Sequence, residues 1–380
     1  MNNFMFHPVG QGLFYTGSIK DQDFNFVYDC GTENKQEYIK NAIDNYISSF
    51  KNSDPEIDFV VISHLHRDHI KGLPYLAKKA HIKKIFLPYL GKDHNLILLF
   101  LQYHILGEEV VTEDDYELYI FMQHLYFGEK NDNIFNIDEI VFLKEEQDYE
   151  AYKHHNNCYS IKEEEIKIEL EKESNYWKFI LINKAMTEEK LELLSKKIPA
   201  SYDFSNPAEI VKKIDEIKKI YKDVFGDKLN NTSTLLLHYP TNLDLRTYYL
   251  SCDVNNLKHK YCQKMYDCEF CVNRDDRDNT ITLLTGDAMV DKEMIGEINK
   301  FTLADCKSNE IGFLQVPHHG SKPNWEALKK HHLPIVNHLI PFGLGNKHHH
   351  PNANVIHDLI TNSEAFYCIN QTQFFIYFIE

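Results

Sequence analysis

The sequence predicts a mixed α/β protein, and three observations carry that prediction. Short apolar runs rich in β-branched and aromatic residues recur at Phe24–Tyr28, Phe59–Ile62, His81–Leu87, Thr234–Tyr239, Ile281–Leu284 and Phe313–Val316, and read as strands buried in a sheet. Apolar residues recur at helical spacing in Asn95–Phe127, Thr187–Ser195 and Pro207–Phe225, which read as helices. The chain has 380 residues, 43% of them apolar, enough to bury a large core.

Taken in order, the N-terminus Met-Asn-Asn-Phe-Met-Phe reads as entering a strand directly, so no signal peptide is expected. No apolar run approaches the roughly 18 residues of a membrane span, so a cytoplasmic protein with no membrane partner is expected. Leu96–Leu101 is apolar but stops at Gln102-Tyr103-His104, as a buried helix would. Ile166–Leu170 and Trp177–Ile182 read as strands, and the alternating aromatic stretch Phe366–Phe378 reads as one further sheet strand with Cys368 as a core thiol. One domain spanning 1–380 is expected, with a long mixed insertion over 90–228 that covers the active site or meets a protein partner. A second insertion, 241–280, is rich in cysteine.

The run Phe59-Val-Val-Ile-Ser-His64-Leu-His66-Arg-Asp68-His69-Ile-Lys-Gly72-Leu73 carries the chemistry. Its strand leaves the core just where ligand-type side chains begin. His64 and His66 point the same way if the backbone stays extended, and Asp68 and His69 follow in a turn. Two adjacent metal sites are expected, one on His64 and His66 and one on Asp68 and His69. Imidazole and carboxylate ligands suit zinc, and also manganese or iron.

The segment Ser63–Leu73 resembles the signature of the metallo-β-lactamase superfamily, whose fold is an αββα sandwich around one or two metal ions. Further segments agree in order: Val9-Gly10-Gln11-Gly12, Val27-Tyr28-Asp29-Cys30-Gly31-Thr32, Leu284-Thr285-Gly286-Asp287 and Val316-Pro317-His318-His319-Gly320-Ser321. Asn230-Asn231-Thr-Ser233 entering a strand, and Gly343-Leu-Gly-Asn346 followed by His350-Pro351, are most similar to the branch that includes the nuclease-like domain of bacterial competence (DNA-uptake) proteins. The resemblance covers Met5 to about Leu359.

It implies roles for particular residues. Asp287 ends an apolar strand after a Thr-Gly turn, so its carboxylate emerges beside the histidine cluster and could bridge two cations. One of His318 and His319 completes the second site, with His319 favoured because Gly320 provides a tight turn. The other orients its partner or touches substrate. Asp29 supports the ligand histidines from behind, as its counterpart does in relatives. Dinuclear relatives usually carry another histidine before the Thr-Gly-Asp strand, yet no motif around His104, His124, His154, His155 or His238 identifies it, and His238 reads as a core histidine. Asn346 and His350, counted with Asp68 as catalytic, would donate hydrogen bonds to substrate, whereas His348 and His349 read as a solvated loop.

Such a centre implies hydrolysis by metal-activated water, with a phosphodiester as the favoured substrate because two cations stabilise both the attacking and leaving oxygens. Lys and Arg number 41 against 57 Asp and Glu, a formal charge of −16 that repels long nucleic acid. The basic stretches Lys71–Lys84 and Lys212–Lys222 are short, and the second reads as a solvated helix face. Short nucleic acid or small nucleotide phosphodiesters are therefore expected. Thioester or lactone hydrolysis is an alternative, as is a catalytically weak subunit that binds a nucleotide or a protein partner. Cys252, Cys262, Cys268 and Cys271, with His259, crowd the second insertion; a structural zinc there is weighed against unligated thiols.

Overall fold

The structure is a computed structural model. It describes residues 2–19, 23–107, 111–128, 135–143, 158–161, 165–169, 176–183, 188–199, 201–204, 212–225, 233–241, 245, 247–253, 273–275, 280–306 and 308–379. The strands, in chain order, are β1 Asn2–Phe6, β2 Phe14–Ile19, β3 Phe24–Cys30, β4 Glu56–Ile57, β5 Phe59–Val61, β6 His81–Pro88, β7 Ile137–Leu143, β8 Cys158–Ile161, β9 Glu165–Glu169, β10 Tyr176–Ile182, β11 Leu235–Pro240, β12 Thr247–Asp253, β13 Asn273–Asp275, β14 Thr282–Leu284, β15 Ile311–Gln315, β16 Ile335–Pro341, β17 Ala365–Ile369 and β18 Gln373–Ile379. They form two mixed sheets, ordered β13-β12-β18-β1-β2-β3-β5-β6-β7-β8, with β4 beside β6, and β17-β16-β15-β14-β11-β10-β9.

The helices are α1 Gln36–Ile47, α2 Arg67–Ile70, α3 Leu73–Lys79, α4 His94–Leu101, α5 Glu113–Phe127, α6 Glu188–Lys197, α7 Ile214–Phe225, α8 Lys292–Asp305, α9 Lys322–Lys329 and α10 Ala353–Thr361, with a π-helical turn at Gln102–Leu106. Side chains alternate between the two faces of each strand, so each strand contributes to two cores. In β3, Val27 packs with Ile39 of α1 and Leu76 of α3, while Phe26 and Tyr28 face the other sheet. In β11, Leu235 and Leu237 pack with Ile298 of α8 and Trp325 of α9, while Leu236 faces inward. The layers therefore run helix, sheet, sheet, helix, which is the αββα sandwich.

Strand direction positions the site. β3, β5 and β6 run parallel, as do β14, β15 and β16. In open α/β sheets, ligands bind beyond the carboxyl ends of such strands. Asp29 closes β3, His64 follows β5, Asp287 follows β14 and His318 follows β15. β11 runs antiparallel to β14, so Ser233, just before it, returns to the same rim.

Two sequence expectations change. Phe366–Phe378 is not one strand: Asn370 accepts hydrogen bonds from the backbone N–H groups of Thr372 and Gln373, turning the chain between β17 in one sheet and β18 in the other. Cys368 is half-buried rather than a core thiol. In the second insertion, β12 pairs with β18 over seven residues, with Leu250 buried and Tyr249 stacked on Phe375, so this part is ordered by a sheet edge. Cys252 lies on β12, whereas His259, Cys262, Cys268 and Cys271 lie outside the described residues.

Candidate metal centre

Residues from four separate segments meet at the rim. Three groups could each hold a metal ion, with ligand atoms within 4.8 Å of one another: His64, Asp68 and His69; His64, His66 and Asp287; and His69, Asp287 and His319. Asp287 belongs to two of them. Its Oδ2 lies 3.5 Å from His64 Nε2 and 3.4 Å from His318 Nε2, and its Oδ1 lies 3.3 Å from His69 Nε2 and 3.9 Å from His319 Nε2.

Each ring is oriented from behind. Asp29 is fully buried and accepts hydrogen bonds from Ser63 N, Ser63 Oγ and His69 Nδ1, each at 2.7 Å. With Nδ1 donating to this carboxylate, the free lone pair of neutral His69 is on Nε2, facing the cluster. His319 Nδ1 donates to the Pro341 carbonyl at 2.8 Å, which points its Nε2 at Asp68 Oδ2, 3.0 Å away. His64 Nδ1 is held by Ser63 Oγ at 2.9 Å and Ser233 Oγ at 3.3 Å, leaving Nε2 3.0 Å from His66 Nδ1.

The backbone is unusual at the same places. Asp29, His318 and His319 have φ of 55°, 49° and 54°, a left-handed conformation that costs a side-chain-bearing residue of order 1–3 kcal/mol and that the surroundings must impose. Gly286, with φ of 52°, lets its loop approach Ser63: a Cβ there would sit 2.8 Å from the serine Cβ and Oγ. The His318 N–H then donates to the Gly286 carbonyl at 3.0 Å, tying the two loops together.

The electrostatics are those of a site made for positive charge. Burial pushes the His69 imidazole down, but the charges of Asp68, Asp29 and Asp287 outweigh it and hold His69 well above its ordinary range. His319 is likewise raised against burial, by its hydrogen bond to Asp68 and the charge of Asp287. Burial raises Asp68 and Asp287, but neighbouring imidazoles outweigh it and hold both carboxyls low. Desolvation, with the charge of His64, lowers the half-buried His66 to about 3. His69 Nε2 and Asp287 Oδ1 are buried facing one another at 3.3 Å, and neither has a further hydrogen-bond partner. Imidazole and carboxylate donors left this way fit a divalent cation.

Residues 16–130 match the family model of the metallo-beta-lactamase superfamily. No curated protein matches the chain significantly. The matched stretch includes His64, His66, Asp68 and His69, while Asp287, His318 and His319 reach this metallo-β-lactamase-type motif from beyond it. The match and the His/Asp cluster together support a metal-dependent hydrolase. No helix among the described residues is long and apolar enough to cross a membrane.

The remaining candidates divide. His318 stands at the rim, a quarter exposed, with Nδ1 3.2 Å from Asn324 Oδ1 and its ring 5.4 Å from that of His350. Burial lowers His350 to about 4, helped by His318, His319 and His348, and its Nδ1 has no hydrogen-bond partner. Asn346 departs from its expected part as a donor to substrate. Its amide donates to the carbonyls of Gly343 at 2.7 Å and His350 at 2.6 Å, and its Oδ1 accepts from the N–H groups of His348 and His350, so it braces the loop that presents His350. His348 and His349 are exposed. His238 is a core residue among Phe4, Phe26 and Phe179, bonded to the Tyr15 hydroxyl at 2.7 Å.

Sequence reasoning did not assign Ser63, Ser233 or the brace around Arg67. Ser63 directly precedes His64, and Ser233 lies two residues before the start of β11, so both had a positional signal. Arg67 donates to both Glu33 oxygens at 3.0 and 2.9 Å and lies 3.4 Å from Asp115 of α5, which also pairs with Lys71 at 2.8 Å. The 90–228 region thus contacts the metal motif directly, a long-range contact without a local sequence signal.

Proposed function

We propose that this protein is a metal-dependent phosphodiesterase acting on short nucleic acid or small nucleotide phosphodiesters. The observation that supports it is the sharing of the Asp287 carboxylate between the group formed with His64 and His66 and the group formed with His69 and His319, the arrangement a pair of cations would need. In this reading His64, His66 and Asp287 hold one ion, and Asp68, His69, Asp287 and His319 the other. Zinc is the favoured metal, with manganese or iron also suited to the donor set. A divalent cation held there would supply a nucleophile at neutral pH, lowering the pKa of water from about 15.7 toward about 7, and would polarise the phosphoryl group.

The chain's own residues then have separate tasks. Asp29 fixes the His69 ring and its tautomer. Asp68 carries the negative charge that holds His319 in place. His318 and His350 stand together at the rim, where they could donate hydrogen bonds to non-bridging phosphate oxygens as charge develops on them. The formal charge of −16 favours a small substrate over a long polyanion.

The test is turnover of bis(p-nitrophenyl) phosphate and short oligonucleotides with zinc, with manganese, and after chelation. Metal-dependent hydrolysis that chelation abolishes is expected. Hydrolysis of thioesters or lactones alone would move the substrate class. No turnover with any metal, together with stable nucleotide binding, would replace the enzyme by a binding subunit.

A further inference from the structure

Asn324 sits in the first turn of α9 and is 2% exposed, and every bond its amide can make is filled. Its Nδ2 donates to the carbonyls of Asp287 at 2.9 Å and Ala288 at 3.1 Å, while its Oδ1 accepts from Ser321 Oγ at 2.6 Å and faces His318 Nδ1 at 3.2 Å. A flipped amide would set its oxygen against two carbonyl oxygens, so the partners fix its orientation. Oδ1 can only accept. The proton of a neutral His318 ring is therefore on Nδ1, and Nε2, 3.4 Å from Asp287 Oδ2, carries the lone pair.

The neighbouring groups are arranged around this amide and not around the helix. Ser321 is the N-cap residue of α9, where a serine oxygen ordinarily accepts from the second or third helical N–H. Here it makes no side-chain cap bond, and its hydroxyl donates to Asn324 instead. The His318 backbone is left-handed, with φ of 49°, and its N–H donates to the Gly286 carbonyl at 3.0 Å. Asn324 adds a second tie between the same two loops, from the carbonyl of Asp287 to the ring of His318.

We infer that Asn324 is a positioning residue: it holds His318 with its proton on Nδ1 and its Nε2 toward Asp287, which makes the ring an acceptor at the rim in its neutral form and a donor to phosphate oxygens in its charged form. The tautomer follows from the hydrogen bonds alone, whereas its effect on turnover rests on the phosphodiesterase reading above. Long-range proton–nitrogen correlation spectra of the full-length protein report which ring nitrogen carries the proton, with the His318 signals assigned by their loss in His318→Gln. Wild type is compared with Asn324→Leu, close in size but without an acceptor, and with Asn324→Ser, which covers the case in which the leucine variant misfolds; circular dichroism is the fold control. The neutral wild-type ring is expected to carry its proton on Nδ1. In the folded variants the neutral ring should populate both tautomers, and hydrolysis of bis(p-nitrophenyl) phosphate should fall at least about tenfold, the scale of losing an outer partner of a site histidine. A neutral wild-type ring protonated on Nε2, or folded variants with the wild-type tautomer or the wild-type turnover, would overturn the role of Asn324. A wild type that has the expected tautomer but turns over no phosphodiester would overturn the phosphodiesterase reading and leave the positioning of His318 standing.

Discussion

His69 and His319 are buried as deeply as His7 and His238, at 0% and 1% exposure against 4% and 0%, yet the two pairs stand at opposite ends of the imidazole range. In the first pair, carboxylates outweigh burial and raise the ring's affinity for a proton. In the second pair, burial acts unopposed and lowers both rings to about 3. The neighbours of His7 and His238 are aromatic rings and hydroxyls: Thr16 and Phe14 for one, Tyr15 and Phe4 for the other. Burial therefore does not mark a metal site. What marks it is a buried histidine whose second nitrogen faces carboxylates that nothing else neutralises.

Removing those carboxylates should break the comparison, and Asp287 should have the largest effect because two candidate sites share it. Asp287→Asn is expected to bring hydrolysis below detection and to lower the bound metal, while circular dichroism shows the fold retained. Undiminished turnover in that variant would end the shared-carboxylate reading. Asp29→Asn should act more gently, since it touches the cations only through the His69 ring and Ser63. Loss of an outer hydrogen-bond partner of a ligand histidine typically costs about 10–100-fold in metal affinity or activity. Chelator competition would measure this, and an affinity within a factor of two of wild type would show that Asp29 serves the fold and not the site.

The same contrast shows what the sequence made legible. The strands could be read because those buried on both faces appear as continuous apolar runs, the sandwich through the resemblance to the metallo-β-lactamase superfamily, and the cluster because parallel strands deliver the residue after each run to one rim. His64, Asp287 and His319 are near one another for that reason. Three features depended on partners remote in the chain. Asn370 breaks the aromatic alternation without disturbing its period, so β17 and β18 looked like one strand. β12 is a strand because β18, over a hundred residues later, offers an edge. Asn346 looked like a substrate donor because its position cannot reveal that its amide is already spent on Gly343 and His350.

The smallest effect falls at the other pole of the comparison. His238 Nε2 bonds to the Tyr15 hydroxyl, which continues through Tyr377 to Thr282 Oγ1 at 2.6 Å per link, and burial lowers the folded pKa from 6.5 to about 3. In the unfolded chain the ring takes up a proton as the pH falls below 6.5, whereas the folded ring does not until about 3. The unfolded state thus binds more protons in that window, so stability is fully present above pH 6.5 and is lost as the pH falls toward 3. Between pH 7 and pH 5 this residue should account for a loss of about 2 kcal/mol, at 1.36 kcal/mol per pKa unit. His238→Gln retains an acceptor for Tyr15 without a titrating ring. Urea midpoints should show a shallower fall of stability from pH 7 to pH 5 in that variant, by about 2 kcal/mol, with any packing cost appearing equally at both pH values. Parallel curves for the two proteins would mean that His238 is protonated in the folded core, and the contrast with His69 would lose its electrostatic basis.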